Sequence, residues 1–384
     1  MSSRIFDALV IGGGPAGTIA SSILARRGKD VVVCERNVSF GRKTGDCLSA
    51  ESANFLRRLS MGHALTGHTL TPGISVAWGD ERITDRNYLF EPFGEGYLLD
   101  RSLFDAALSK KCIDFGTNWL AGVTFLAAKY SNRLWLVTFK DQSGTKFTLV
   151  ARSVIDAGGR ASRFSLRSGG MKQEISQLVA IAGQFDYSFD KKRGWSSIES
   201  VNDGWWYFSQ LPNQACQAIK FTDISSLQRS KRDRESGVDF KKRFIEQVAD
   251  IKSLRRMNLS GKSLKNLSVC DASSTRVIVP SDKLTNWLPI GDAAMCFDPI
   301  TTNGLSFAIS SAYYGANAVL DMLKGETGAN EAYMFTIHKH FEETIEATRN
   351  VYQREQRWPE SRFWQLKSKE HSTASLKVNK AHKN

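Results

Sequence analysis

Apolar residues at the start of the chain come in unbroken runs, not in alternation. IFDALVI, residues 5–11, and KDVVVCE, residues 29–35, each read as a strand buried on both faces. Between them TIASSILARRG sets Ile19, Ile23 and Leu24 at helical spacing, and GGGPAG joins the first strand to that helix. The pattern predicts a βαβ unit of about thirty residues.

Further on, GYLLDRSLFDAAL places Arg101 at the start of an amphipathic helix. The stretch from WLAGVTFLAAKY to SVIDAGG reads as three or four strands with turns at SNR and DQSG. LVAIAGQFDYS, DGWWYFSQLPN and QACQAIKFTD read as antiparallel strands. A late buried strand in TNWLPIGDAAMCFDP ends in Gly291-Asp292. A polar corner, PITTNG, then interrupts the apolar pattern before a long helix, GLSFAISSAYYGANAVLDML. The expected fold is α/β with α+β insertions. A Rossmann-like dinucleotide-binding domain is interleaved with an antiparallel-sheet substrate domain and followed by a C-terminal helical segment.

The first turn carries recognisable chemistry. Gly12, Gly14 and Gly17 have GxGxxG spacing, Pro15 and Ala16 lie inside it, and Glu35 ends the second strand. Gly12 permits the tight turn, Gly14 lets the backbone approach a pyrophosphate, and Gly17 lets helix and strand pack closely. The helix N-terminus offers N–H groups and the positive end of its dipole to phosphates, and Glu35 is suited to accept ribose hydroxyls. Asp292 stands at a strand end, where open α/β sheets bind ligands, and it also suits a helix N-cap.

Composition narrows the options. The 384 residues are 41% apolar and 24% charged, ordinary for a globular protein. A net charge of +13 favours an acidic partner: a nucleotide cofactor, a protein or a nucleic acid. No arginine-rich helix with interleaved aromatics supports the last of these. The charge peaks SLQRSKRDRESG and KSKEHSTASLKVNKAHKN read as a solvated loop and tail. Six irregularly spaced Cys without CxxC suggest neither a disulfide framework nor zinc, and no metal site is expected. No run approaches the eighteen or so apolar residues of a membrane span. The N-terminus lacks the features of a secretion signal, so a cytoplasmic protein is expected. The aromatic run Trp205, Trp206, Tyr207, Phe208 is too dense for simple alternation, so at least one of the four is expected to line a pocket; packing of all four in the core is the alternative.

GGGPAG with Glu35, Arg101 in DRSLFD, DAGGRAS and GDAAMCFDP followed by NG occur in the order seen in a known superfamily. The chain resembles the FAD-dependent hydroxylases of the para-hydroxybenzoate hydroxylase type, which also include flavin-dependent halogenases. The resemblance implies FAD as cofactor, with Arg36, Lys43 and Arg101 helping to hold it. It implies Asp156 and Gly159 near the adenosine half and Asp292 at the ribityl or ribose. It also implies that PITTNGLSFA faces the pyrimidine edge of the flavin. Pro299 would fix that turn, Gly304 would admit the ring, and backbone N–H groups at Asn303, Gly304 and Leu305 would meet it.

Within the superfamily, GDCLS, DGWWYFSQLP and VYQREQRWPESRFWQ resemble the quinone-cofactor maturation flavoproteins of the GoxB/LodB type. That likeness implies a monooxygenase acting with O₂ on a tryptophan of a precursor protein, to give cysteine tryptophylquinone in an amino-acid oxidase. Electrons would come from NAD(P)H or a reductase, since no second GxGxxG is present. Trp205, Trp206 and Cys47 are the substrate-pocket candidates, and no acid–base dyad is evident. The alternatives are a halogenase or hydroxylase of a small aromatic substrate, and a flavin-bound chaperone. The Trp-x-Trp-x-Ile-Pro spacing of tryptophan halogenases is absent, and Lys43 is the single suggestive candidate for their catalytic lysine. The expected partition is FAD-binding domain 1–177 and 286–325, substrate sheet 178–285, helical region 326–366 and basic tail 367–384.

Overall fold

The computed structural model describes residues 4–41, 43–186, 194–212, 215–225, 239–255 and 263–369. Among them are two seven-stranded sheets. The first is built on the unbroken apolar runs. Ile5–Ile11 lies between Val31–Glu35 and the second half of Lys146–Asp156, all parallel, with Asn118–Ala121 beyond on one side. Lys146–Asp156 forks the sheet. Its first half pairs antiparallel with Leu134–Lys140, while Val154–Asp156 pairs in parallel with Trp287–Pro289. That last short strand brings the late segment back beside the first turn. The helices Pro15–Arg26, Arg101–Asp114 and Gly304–Lys324 are packed against one another or against this sheet, and their apolar residues join one continuous core. The sheet is apolar on both faces because both are covered.

The second sheet lies over the cleft. Leu264–Asp271, Val179–Asp186, Ala215–Thr222, Gly204–Leu211 and Ser196–Val201 follow one another antiparallel. Two further strands, Gly73–Ala77 and Thr84–Asn87, complete it, the former parallel to Ser196–Val201. This corrects the expected partition, in which the sheet came wholly from residues 178–285. The chain crosses to the cover sheet once early on, and Trp195 Nε1 donates to Ser75 Oγ at 2.7 Å across the joint.

Strand parity settles the aromatic run. Trp205 and Tyr207 point to one face with Ile219 and Phe221, whereas Trp206 and Phe208 point to the other. All four are buried. Trp206 packs on Phe244 of the Phe240–Asp250 helix, with the Lys220 ammonium 5.9 Å from its ring. The expectation that Trp206 lines the pocket is therefore corrected: it belongs to the outer core.

The long helix Ala329–Gln353 ends at the cover sheet. There Trp205 Nε1 donates to the Tyr352 hydroxyl at 3.0 Å, and that hydroxyl donates to Asp298. Trp78, Trp358, Phe363 and Trp364 pack around this point. The basic tail does not begin at 367. A helix continues over residues 362–369, and buried Lys367 donates to Ser176 Oγ at 2.8 Å and Gln177 O at 2.9 Å. Its ammonium lies 5.6 Å from the Tyr352 ring centroid and 5.9 Å from that of Phe363, so a lysine that reads as solvated serves as a peg. The remaining tail, 370–384, and the charged segment 226–237 lie outside the described residues. No helix among the described residues is long and apolar enough to cross a membrane.

Candidate functional site

A cavity of about 620 Å³ runs between the two sheets. One end is shaped by backbone. Gly12 has φ +106°, and a Cβ there would lie 2.2 Å from Ala157 O. A Cβ on Gly17 would lie 1.9 Å from Gly12 O, so this glycine is what lets helix and strand touch. Gly13, which sequence reasoning passed over, is packed as tightly, its missing Cβ 2.4 Å from the Trp119 ring. Gly14 is different. Its φ of −71° and ψ of −177° suit any residue, and a Cβ would meet nothing within 4 Å. The protein does not need a glycine there; an occupant of the cavity would.

Pro15 and Ala16 begin the helix, whose first-turn N–H groups lack intrahelical partners and face the cavity wall. Glu35 is buried at the strand end, its Oε2 accepting Gly13 N–H at 2.6 Å and its Oε1 accepting the backbone N–H and side-chain amide of Asn37. A carboxylate has further lone pairs to offer, and Glu35 and Arg36 both line the cavity. Lys43 and Arg101 also line it, and both are tied to Asp105, a residue the sequence reading missed. Lys43 Nζ lies 2.7 Å and Arg101 Nε 3.2 Å from that buried carboxylate. Arg101 also donates to the carbonyls of Thr44 and Gly45, fixing the loop that borders the cleft. The available signal was the i,i+4 spacing of Arg101 and Asp105 within one predicted helix.

Asp156 lies on the wall with both oxygens committed. One accepts Gly158 N–H at 2.9 Å, the other Ser165 N–H at 2.8 Å and Ser165 Oγ at 2.6 Å. Burial pushes its carboxyl upward against these bonds. It holds the turn that presents Gly159, at φ +68°, to the cavity. Asp292 opens onto the cavity, and its carboxylate accepts no hydrogen bond from the described residues. Enclosure by protein raises its pKa, while the charges of Arg160, Arg101, Lys43 and Lys172 act the other way.

PITTNG forms a further part of the cavity wall. Asp298 caps it, accepting Ile300 N–H at 3.0 Å, Pro299 starts a short 3₁₀ turn, and Thr302 takes φ +50°. Asn303 turns its amide to His340 at 3.1 Å and caps nothing. The N-terminus of the 21-residue helix Gly304–Lys324 therefore presents uncapped N–H groups at a wall formed by Thr302, Asn303, Gly304 and Leu305. Gly304, like Gly14, has open space where a Cβ would stand.

The far end is shaped by side chains. Trp205 stacks on Phe221 with ring centroids 4.0 Å apart, and Tyr207, Ile219, Ala180, Asp46 and Cys47 continue the wall. Cys47 is held as a thiol, its pKa pushed up to about 12 by burial and then by Asp46. Cys47, expected as a substrate-pocket candidate, stands on the cavity wall.

A cleft with a glycine-lined turn, two helix N-termini and open space at Gly14 and Gly304 fits a flavin dinucleotide in both shape and donors. Together with the fold it defines an FAD-dependent oxidoreductase of the monooxygenase type. The chain belongs to the FAD binding domain family, which matches residues 6–339. It is 27% identical over 368 residues to the putative FAD-dependent oxidoreductase LodB of Marinomonas mediterranea, spanning 94% of this chain and 96% of that protein. It is 24% identical to a 1H-pyrrole-2-carbonyl-[peptidyl-carrier protein] chlorinase of Pseudomonas fluorescens over 87% of this chain and 80% of that one. Among solved structures the fold is similar to the myxobacterial chondrochloren halogenase CndH, with TM-score 0.84 and 20% identity over 99% and 91% of the two chains. It is similar too to the peptidyl tryptophan dihydroxylase QhpG, with TM-score 0.72 and 21% identity over 95% and 79%.

Proposed function

We propose that this protein is a monooxygenase that oxygenates a tryptophan side chain of a precursor protein, during maturation of a protein-derived quinone cofactor such as cysteine tryptophylquinone. The observation that carries the reading is the aromatic chamber of Trp205, Tyr207, Ile219 and Phe221, which lines the same cavity as the uncapped helix N-terminus at Gly304. The near full-length similarity to LodB supports it, as does the fold shared with a dihydroxylase that is described as essential for tryptophylquinone biogenesis.

Bound FAD, reduced by NAD(P)H or a reductase, supplies the means to pass an oxygen atom from O₂ to an electron-rich ring. The chain supplies the rest. Gly14 and the helix beginning at Pro15 would hold the pyrophosphate, with Glu35 on the adenosine ribose and Asp292 on the ribityl chain. Arg36 would stand beside the adenosine, and Lys43 and Arg101 would brace the loop at residues 44–45. Asp156 would keep Gly159 in place. Backbone N–H groups at Asn303, Gly304 and Leu305, in the turn started by Pro299, would hold negative charge at the edge of the ring system. Trp205 and Phe221 would orient the substrate ring, and the cover sheet would exclude water. The charge of +13 suits an acidic partner.

Halogen transfer of the kind that relies on a lysine in the chamber is disfavoured. Lys43 is the one lysine on the wall among the described residues, and its ammonium is bound to Asp105. Co-expression with an oxidase precursor, followed by intact mass, tests the proposal. A gain of one or more oxygen atoms that localises to a tryptophan is expected. A chlorinated precursor would place the chain with the halogenases, and an unchanged mass with stable complex formation would make it a chaperone; either result defeats the proposal.

A further inference from the structure

Ser49, Asp100, Asp239 and Asp298 each stand, on extended backbone, just before a helix or 3₁₀ turn, and each side chain accepts a backbone N–H of that first turn. Asn303 is of the same capping kind and stands just before the helix Gly304–Lys324. Its backbone is in the αR region instead, with φ −89° and ψ −5°, and its side chain caps nothing. The amide nitrogen lies 3.1 Å from His340 Nε2. An amide nitrogen can only donate, so the imidazole accepts, and the side chain is drawn toward the helix Ala329–Gln353. The imidazole is itself fixed by its neighbours. Its ring lies 6.1 Å from that of Phe307 and nearly parallel to it, at 11°, and 5.7 Å from that of Phe297.

The consequence falls on the first turn. Phe307 N–H is bonded to Asn303 O at 2.8 Å, so the donors of Gly304, Leu305 and Ser306 are the ones without a partner inside the helix. A capping side chain takes the N–H of the second or third helical residue, here Leu305 or Ser306. Leu305 lines the cavity, and its N–H is one of the donors assigned above to the edge of the ring system. An Asn303 released to the extended form would compete with the flavin for that donor. Its oxygen would also put partial negative charge where the helix N-terminus is to hold it. We propose that His340 is a positioning residue, which by engaging Asn303 keeps the helix N-terminus open for the flavin edge. The inference rests on the placement of that edge at Asn303, Gly304 and Leu305, and not on the identity of the substrate.

The test measures the midpoint potential of the FAD-loaded protein against a reference dye, with no substrate present. His340→Phe keeps a flat ring beside Phe307 and removes the acceptor. Its potential is expected to fall by about 30 mV, which is about a tenfold loss of preference for the reduced flavin in a two-electron couple. His340→Leu is expected to do the same and serves should the first variant fold poorly. Adding Asn303→Ala deletes the competing cap and is expected to restore the wild-type potential. Damage to packing would not be repaired by removing a second side chain, so recovery separates positioning from a structural role. An unchanged potential in both His340 variants overturns the inference. A fall that Asn303→Ala does not repair shows His340 acting through its own ring, and overturns it too. Gly304→Val tests the placement separately, because its Cβ would enter open space on the cavity wall, and loss of flavin is expected. Full flavin in that variant means that the ring edge lies elsewhere, and placement and inference fall together. Loss of flavin there with silent His340 variants removes this inference alone. An unoxygenated precursor would defeat the proposed function and leave all of these results standing.

Discussion

The two ends of the cavity are made by different means. At the dinucleotide end, backbone shapes the wall: four glycines, two helix N-termini and a carboxylate tied to the turn beside it. At the cover-sheet end, residues from Asp46 to Cys296 meet across long stretches of sequence. Glycines at the first end divide further into those the fold needs and those only an occupant needs. Side chains at the second end serve packing and recognition together, so a substitution there disturbs both.

Four substitutions sharpen this contrast. The largest effect is expected from Gly17→Val, whose Cβ would enter Gly12 O; a loss of at least about 4 kcal/mol should leave little folded protein. A melting temperature near that of the wild type would show that helix and strand can part, and would remove the distinction. Next is Trp205→Ala, expected to cost about 3–5 kcal/mol by urea unfolding, since it opens a void beside Phe221 and frees Tyr352. A loss under about 1 kcal/mol would mean that the cover sheet does not depend on this ring. Gly14→Val should do the opposite of Gly17→Val. Stability should change by less than about 1 kcal/mol while FAD affinity falls about a hundredfold, because the new side chain meets only what the cavity holds. Purification of this variant with full flavin would refute the assignment of Gly14.

The smallest effect concerns Glu355, which accepts bonds from Arg357, Ser200 and Gly79 N–H. Burial would raise its pKa, but those bonds outweigh it and hold the carboxyl at about 2. A depressed folded value means that this stabilisation is present above the unfolded value of 4.5 and is lost as pH falls from there toward 2. Glu355→Gln is expected to lose about 1–3 kcal/mol at neutral pH and to flatten the acid limb of the stability curve. An unchanged acid limb would show that other carboxylates govern it.

The same contrast explains what could be read from the sequence. The dinucleotide end was legible because its parts lie within one βαβ unit, and each glycine reports a local backbone requirement. The turn at Pro299 was legible as a polar break in an apolar pattern. Trp205 and Trp206, by contrast, are adjacent in sequence and alike in type. Only strand pairing, Trp205 with Phe221 and Trp206 with Lys220, sends one to the cavity and the other to the outer core. The early strand Gly73–Ala77 gave no sign that it would join a sheet formed more than a hundred residues later. Asp46 and Ser209, and Asp105 with Lys43, meet through tertiary contacts that no spacing announces. Lys367 misled for a simpler reason: a lysine in a basic run reads as solvated, and its burial depends on Ser176 and Tyr352 waiting to receive it.

Tyr352 gives the molecule an order of events. Its hydroxyl stands between Trp205 of the cover sheet and Asp298 at the turn begun by Pro299, and so fastens the two walls together. A ribosome releases both walls before it releases this residue. The nascent chain thus carries a complete dinucleotide-binding turn and a complete cover strand while the latch between them is still being made. Both walls are therefore complete in the chain before the residue that joins them, and the latch is the last of the three parts to be made.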